Sequence, residues 1–421
     1  MVKPSLIKEY DPLGKSEICC DLVGLEKYLK RNNLSSVLKI SPSGIKANYH
    51  VGIIKYKTFQ LQILPKLIAE EENNEEQILK NLIFMLSYTK KLDIKTTDNV
   101  NLSKSQNPFL EILIKEFANS LFEALKRLTP KNYVREEDNL NFLKGKIKFS
   151  ENIRYNCVNQ AKFYCEFDEF SENNILNQLF LYVATSLYEV SKNSENKRVL
   201  KLIIDYFAGV KIIRFDKFKC EKIRLTRNQK LFEKPFNLAK MFVENSSVDL
   251  SLNKFDSISF VWDMNKLFEE FIYQVLRKME GVSVTAQQKR HLLKHKEGFT
   301  RRDTKVDIMV NNKIVLDTKY KRFESLDDVK NADIFQVSTY CMLHAKNQAI
   351  LLYPQWGMKK SKKTIDLEYC LNANNEDKKE QNNKNDNKEN NQIQLKFVSV
   401  NLRLDLKKDL RDLKNSSLVK E

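Results

Sequence analysis

Asp307, Asp317 and Lys319 lie within the stretch Lys305 to Lys321, KVDIMVNNKIVLDTKYK. It reads as two short strands joined by a tight turn. The first strand carries Asp307, the second Asp317, Thr318 and Lys319. Two carboxylates with a lysine are the groups that metal-assisted phosphodiester cutting uses. A hard cation neutralises charge building on the phosphate and activates water. Mg²⁺ takes oxygen ligands, usually one or two carboxylates together with water and substrate phosphate. Asp307 and Asp317 would be those carboxylates. Lys319 would polarise the attacking water or stabilise the transition-state charge.

An Asp followed ten residues later by Asp-x-Lys resembles the signature of the PD-(D/E)xK nucleases. Geometry tests the likeness. Side chains alternate along a strand, so Asp317 and Lys319 share one face. A two-residue turn at Asn311-Asn312 would pair Val306 with Asp317 and turn Asp307 away. A three-residue loop, Asn311 to Lys313, pairs Val310 with Ile314 and Asp307 with Asp317. The spacing therefore predicts a three-residue loop or a bulge with one residue in the left-handed region, where Asn is tolerated. Ile314-Val315-Leu316 is a continuous apolar run, which predicts a strand covered on both faces. Charges directly after such a run are costly unless they serve a purpose. The bland alternative is an amphipathic hairpin with a solvated polar face, and DxK triplets are common in a Lys-rich chain. The flanking elements must decide.

Upstream, Asp263 is a good N-cap for a helix. Met264, Phe268, Phe271, Ile272, Val275 and Met279 fall on one helical stripe. Glu270 is expected opposite the stripe, in solvent. Glu269 sits at its edge beside Ile272 and Leu276, where a carboxylate reaches into a cleft and holds a metal directly or through water. The alternative is a surface glutamate. Downstream, Asp333 is placed as the cap of another helix, with Ile334, Phe335, Val337, Cys341 and Met342 as its apolar side. Gln336 and Tyr340, four apart, share a face. Both can hydrogen-bond to phosphate or orient the lysine; the alternative is a polar face with a snorkelling Tyr. Ala349 to Tyr353 is a strand stopped by Pro354.

The order is helix, strand, strand, helix, strand. Glu269, Asp307, Asp317-Thr318-Lys319 and Gln336-x-x-x-Tyr340 resemble the motif series of the PD-(D/E)xK superfamily. WDMNKLFEEF, VLDTKYK and ILLYP more narrowly resemble McrC, the nuclease subunit of McrBC-type modification-dependent restriction systems. Val306 departs from the Pro of the superfamily name, at a position that varies. The resemblance implies metal ligands at Asp307, Asp317 and Glu269, a water-activating Lys319, and support from Gln336 and Tyr340. It also implies Mg²⁺ as cofactor, DNA as substrate and a McrB-like AAA+ GTPase hexamer as partner.

The chain has 421 residues, room for two or three domains. Its formal charge of +17 favours a polyanionic partner such as DNA. Lys and Asn are abundant throughout, so a basic solvated surface explains part of that charge. The seven Cys residues form no CxxC, and no secretory signal precedes them, so neither a zinc ribbon nor a disulfide framework is indicated. His291 and His295 are four apart without the Glu of a zinc-protease signature and are read as surface or DNA-facing. No apolar run approaches the ~18–20 residues of a membrane span. The expectation is a cytoplasmic protein with reduced thiols and no membrane contact.

Three regions are expected. Residues 1–75 form a β-rich module, with strands at Val51–Tyr56 and Phe59–Leu64, and VGIIKYKTFQLQILPK resembles the N-terminal region of McrC proteins. Residues 76–240 are mostly helical and partner-binding, with helices over Gln77–Leu92 and Pro108–Leu128. Lys144-Gly145-Lys146 is a turn that can meet phosphate, although such lysines are more often idle. CEFDEFSENNILNQLFLYVATSLYEV resembles another McrC segment, a helix capped by Ser171 or Asn173. In the family, the region before the nuclease domain engages the McrB ring and stimulates its hydrolysis. Residues 241–421 form the nuclease domain. Within them 372–392, NANNEDKKEQNNKNDNKENNQ, is a low-complexity insertion expected to be disordered, and Ile393–Leu402 is a final strand. The expected fold class is α+β or α/β: a β-rich and helical N-terminal region, then a PD-(D/E)xK domain whose mixed central sheet is flanked by helices.

The leading functional reading is a Mg²⁺-dependent endonuclease subunit of a restriction system, acting on modified (methylated) DNA with a GTPase partner in cellular defence. The chain has no GxxxxGK[ST] phosphate loop of its own. The alternatives are an inactive scaffold that activates the GTPase, or a stand-alone repair or defence nuclease.

Overall fold

The computed structural model describes residues 5–66, 75–89, 108–249, 254–294, 301–354, 366–371 and 393–402, except 159, 322, 324 and 401. The N-terminal part comprises β1 (Ser5–Lys8), β2 (Pro12–Gly14), α1 (Leu22–Arg31), β3 (Leu38–Ser41), β4 (Gly44–Ala47), β5 (His50–Tyr56) and β6 (Phe59–Leu64). The two strands expected here are present, the first extended by one residue to His50. Strands β2, β4 and β3 make a small antiparallel sheet. Strands β1, β6 and β5 begin a larger one.

The middle part is α2 (Glu75–Tyr88), α3 (Pro108–Leu125), β7 (Asn132–Leu140), β8 (Lys146–Ile147), α4 (Phe149–Asn156), β9 (Phe163–Ser171), α5 (Ile175–Val190), α6 (Ser194–Tyr206), α7 (Lys217–Lys222) and α8 (Glu233–Glu244). Helix α3 ends three residues earlier than its apolar spacing predicts. The helical region also contains a three-stranded sheet ordered β7-β9-β8, which its alternating charges did not announce. The cap of α5 is neither Ser171 nor Asn173. It is Asn174, whose side chain accepts from the amides of Leu176 and Asn177. Lys144 is ion-paired with Glu169, so that turn lysine is already engaged.

Strands β10 (Ser246–Asp249) and β11 (Lys254–Asp263) follow. They complete the first large sheet in the order β1-β6-β5-β11-β10. Close approach of β11 to β5 depends on Gly52, at φ +134°, where a Cβ would lie 1.9 Å from the Phe260 carbonyl oxygen. The N-terminal sheet therefore extends to Asp263, beyond residue 241 at which the third region was expected to begin. Strands separated by almost two hundred residues pair here, a relation that local patterning does not reveal.

The C-terminal part is α9 (Met264–Arg277), β12 (Val284–Lys294), β13 (Arg301–Val310), β14 (Ile314–Thr318), α10 (Asn331–His344), β15 (Gln348–Pro354), β16 (Asp366–Leu371) and β17 (Ile393–Val400). Its six strands are ordered β12-β13-β14-β15-β17-β16. Pairing is antiparallel from β12 to β14, parallel from β14 to β17, and antiparallel again at β16. The last strand returns to the sheet as expected, and the sheet is mixed. Ile308, Leu316 and Ile350 bury with the stripe of α9. Met309, Val315 and Leu351 bury with Val337 and Cys341 of α10. The Ile314-Val315-Leu316 run is thus covered on both faces. Residues 372–392, residues 403–421 and His295 lie outside the described residues.

Candidate active site

The turn between β13 and β14 decides whether the acidic groups meet. It has three residues, with Val310 paired to Ile314 and Ile308 to Leu316. Both Asn311 and Asn312 take left-handed φ, 50° and 55°, where one such residue was expected. Continuing this register sets Asp307 opposite Asp317. The backbone amide of Thr318 donates to Asp307 Oδ2 at 3.2 Å.

Asp317 is completely buried, and neither of its oxygens has a hydrogen bond of good geometry among the described residues. Lys319 Nζ lies 2.7 Å from Asp317 Oδ2. Burial, and then the neighbouring Asp307, push the Asp317 pKa well above the usual carboxylate range. Burial also raises the Asp307 pKa, partly offset by the Thr318 amide and by Lys319. For Lys319, burial favours the neutral amine. Asp317, then Asp333 and Asp307, outweigh it and hold the pKa above its ordinary value. Lys319 is therefore a cation at neutral pH and serves as a fixed positive charge.

Helix α10 holds that charge in place. Lys319 Nζ donates to Gln336 Oε1 at 3.0 Å, and Gln336 Nε2 donates to the Tyr340 hydroxyl at 2.6 Å. The i, i+4 pair read from sequence thus forms a relay behind the lysine. Asp333 does not cap α10; the helix begins after Lys330 with no side-chain cap. It is buried instead, accepting from Lys321 at 2.9 Å and lying 4.0 Å from Lys319. The helix is consequently rotated from its expected facing, and Phe335 and Met342 are 69% and 75% exposed.

Helix α9 is capped as expected, the Asp263 side chain accepting from the Asn265 amide at 2.9 Å. Glu269 is half-buried and close enough to Asp307 that, after burial, this neighbour raises its pKa. It accepts a hydrogen bond from Gln287 Nε2. Glu270 is half-buried and bonded to Gln274 at 2.8 Å rather than solvated.

Among the described residues, no three acidic, His or Cys side chains converge closely enough to form a ready metal cage. Asp307 and Asp317 are brought together; Glu269 is near them but held by Gln287. The buried Asp317, whose oxygens lack hydrogen bonds among the described residues, and the half-buried Asp307 still suit Mg²⁺, which fills its remaining positions with water and substrate phosphate.

The family described as McrBC 5-methylcytosine restriction system component matches residues 45–354, well over half of the chain. The chain belongs to the McrBC family. This McrBC chain also resembles solved structures from Thermococcus gammatolerans. A chain of the refined half-complex of McrB AAA+ hexamers with bound McrC is 23% identical, with 98% of each chain covered and a TM-score of 0.72. That match concerns the fold alone. A chain of the cryo-EM structure of the McrBC complex is 26% identical over 65% of this chain and 87% of that one, with a TM-score of 0.52. No curated protein sequence matches significantly.

Sequence reasoning missed Asp333 and Gln287 as neighbours of this McrBC site. Gln287 stands opposite Asp307, between the pairs Ala286–Ile308 and Gln288–Val306. It adopts φ 61°, a strained conformation for a non-glycine residue of the kind that collects at functional sites. Nothing in the local sequence signals it, because strain of this kind is imposed by the surrounding structure.

Proposed function

We propose that this chain is the Mg²⁺-dependent DNA endonuclease subunit of a restriction system, working with a McrB-like AAA+ GTPase hexamer whose hydrolysis it stimulates. The observation that carries this reading is the convergence of Asp307, Asp317 and Lys319 in one small buried site of a McrBC-family chain. The Gln336–Tyr340 relay behind Lys319 supports it further.

Asp307 and Asp317 would hold the metal, with Glu269, steadied by Gln287, joining them directly or through water. The bound ion would neutralise charge on the scissile phosphate and favour ionisation of water. Lys319 contributes a fixed positive charge at the pentavalent centre, and the shell of Gln336, Tyr340 and Asp333 keeps it from swinging away. Because Lys319 is held protonated, it acts as an electrostatic stabiliser and not as a base. Modified DNA is the substrate class, in keeping with the 5-methylcytosine restriction description of the family. The ring partner follows the McrB hexamers with bound McrC in the similar structure.

The test compares cleavage of methylated and unmethylated plasmid with Mg²⁺, for wild type and Asp317→Asn, each with and without the partner GTPase and GTP. Cutting that requires methylation, partner, GTP and Asp317 supports the reading. Cutting without the partner makes the chain a stand-alone nuclease. Stimulated GTP hydrolysis with no Asp317-dependent cutting makes it a scaffold.

A further inference from the structure

The long hairpin of β12 and β13 extends past the site at the free edge of the sheet. Over residues 289–294 and 301–305 it carries six Lys or Arg residues against a single acid, Asp303. That density far exceeds the chain average, so general Lys richness does not account for it. Lys289 and Lys305 are directly opposite in the register, and both are exposed. Like charges directly opposed across strands destabilise a sheet. Neither lysine makes an ion pair among the described residues. The next pair two residues along, His291 and Asp303, by contrast joins at 2.6 Å.

The placement of Lys305 is informative. It lies two residues before Asp307 on one strand, so the two side chains leave the same side. Its charge reaches the site, lowering the pKa of both Asp307 and Glu269 against the effect of burial. The lysine pair thus continues the acidic site outward by about 7 Å, two strand residues.

We propose that Lys289 and Lys305 form a phosphate-holding subsite that grips the DNA backbone beside the bond to be cut. The inference rests on the nuclease reading and gives it a substrate-binding surface. A polyanion resolves the opposed pair, because a phosphate between two ammonium groups turns a repulsion into two attractions. The grip is sequence-independent, since phosphates position a protein without informing it of the bases.

The test uses the full chain, a fluorescein-labelled duplex of about 30 base pairs and anisotropy over a salt series without Mg²⁺. Lys289→Gln/Lys305→Gln is expected to weaken binding about tenfold and to reduce the magnitude of the log–log salt slope by about one, for the phosphate no longer neutralised. Asp317→Asn should leave that slope unchanged. A double variant with the wild-type slope, or a wild-type chain with no duplex affinity at 50 mM salt, overturns the subsite. Lysine-dependent binding without Asp317-dependent cutting retains the subsite and rejects the nuclease reading. Asp317-dependent cutting with a lysine-independent slope does the reverse.

Discussion

Glu9, at the end of the first strand, accepts a hydrogen bond from the Tyr320 hydroxyl at 2.9 Å across 311 residues of sequence. Tyr320 follows Lys319 directly, and its ring lies 6.0 Å from that of Phe268, the neighbour of Glu269. One buried contact therefore joins the N-terminal sheet to both arms of the candidate site. Glu9 is 1% exposed, and its other oxygen has no partner among the described residues. Burial raises its pKa to about 7, against the lowering effects of the Lys66 amide and Tyr320.

The sign of the resulting pH dependence follows. A carboxyl whose folded pKa lies above its unfolded value binds its proton more tightly in the folded state. Its stabilising effect is full below about 4.5 and is lost as pH rises toward 7. The whole term is at most about 3 kcal/mol by linkage. Glu9→Gln should flatten the fall in thermal stability between pH 5 and pH 8 while keeping the Tyr320 contact. Thermal unfolding of both proteins across that range checks it; parallel curves would remove Glu9 as the titrating group.

The Lys319, Gln336 and Tyr340 chain predicts a graded series. Lys319→Ala should reduce cleavage about 10²–10³-fold, as for loss of one preorganised charge-stabilising group. Gln336→Ala removes a bond to a charged group, worth about 1.5–3 kcal/mol, so a loss of about 10–100-fold is expected. Tyr340→Phe removes a neutral bond one step further out and should cost several-fold. Single-turnover cleavage rates would rank the three, and a Tyr340→Phe variant worse than Lys319→Ala would contradict the order of the relay.

The raised pKa of Asp317 also predicts how metal binding depends on pH. Both carboxylates must be ionised to hold Mg²⁺, and burial with mutual repulsion opposes this. Mg²⁺ affinity should weaken as pH falls through neutrality, with protons released on binding. Calorimetry in buffers of different ionisation enthalpy would count them. Zero protons released at pH 6.5 would mean that both groups are already ionised without metal.

Much of this was legible locally. The three-residue turn follows from requiring Asp307 and Asp317 on one face, and the Gln336–Tyr340 relay follows from helical spacing. Other features depended on long-range partners. Asp333 looks like a cap from sequence, but Lys321 and Lys319 draw it into the site and set the helix facing, leaving Phe335 and Met342 in the open. Strands β10 and β11 belong to the N-terminal sheet because β5 accepts them, which no composition shift near 241 encodes. The burial of Glu9 required knowing that the first strand lies over Tyr320.

Gln287 offers a separation of stability from activity. Its φ of 61° costs a side-chain-bearing residue about 1–2 kcal/mol, while its amide fixes Glu269. Gln287→Gly relieves the strain and releases Glu269. The relief is partly offset by the entropy of an added glycine, about 0.5–1 kcal/mol. Its melting temperature should equal or exceed that of wild type, while Mg²⁺-dependent cleavage falls several-fold. Gln287→Leu keeps the strain and loses the bond, so it should cut as poorly as the Gly variant without the gain in stability. Parallel melting curves and cleavage rates decide the matter. A Gly variant that cuts at the wild-type rate would show that Glu269 needs no restraint from this strand.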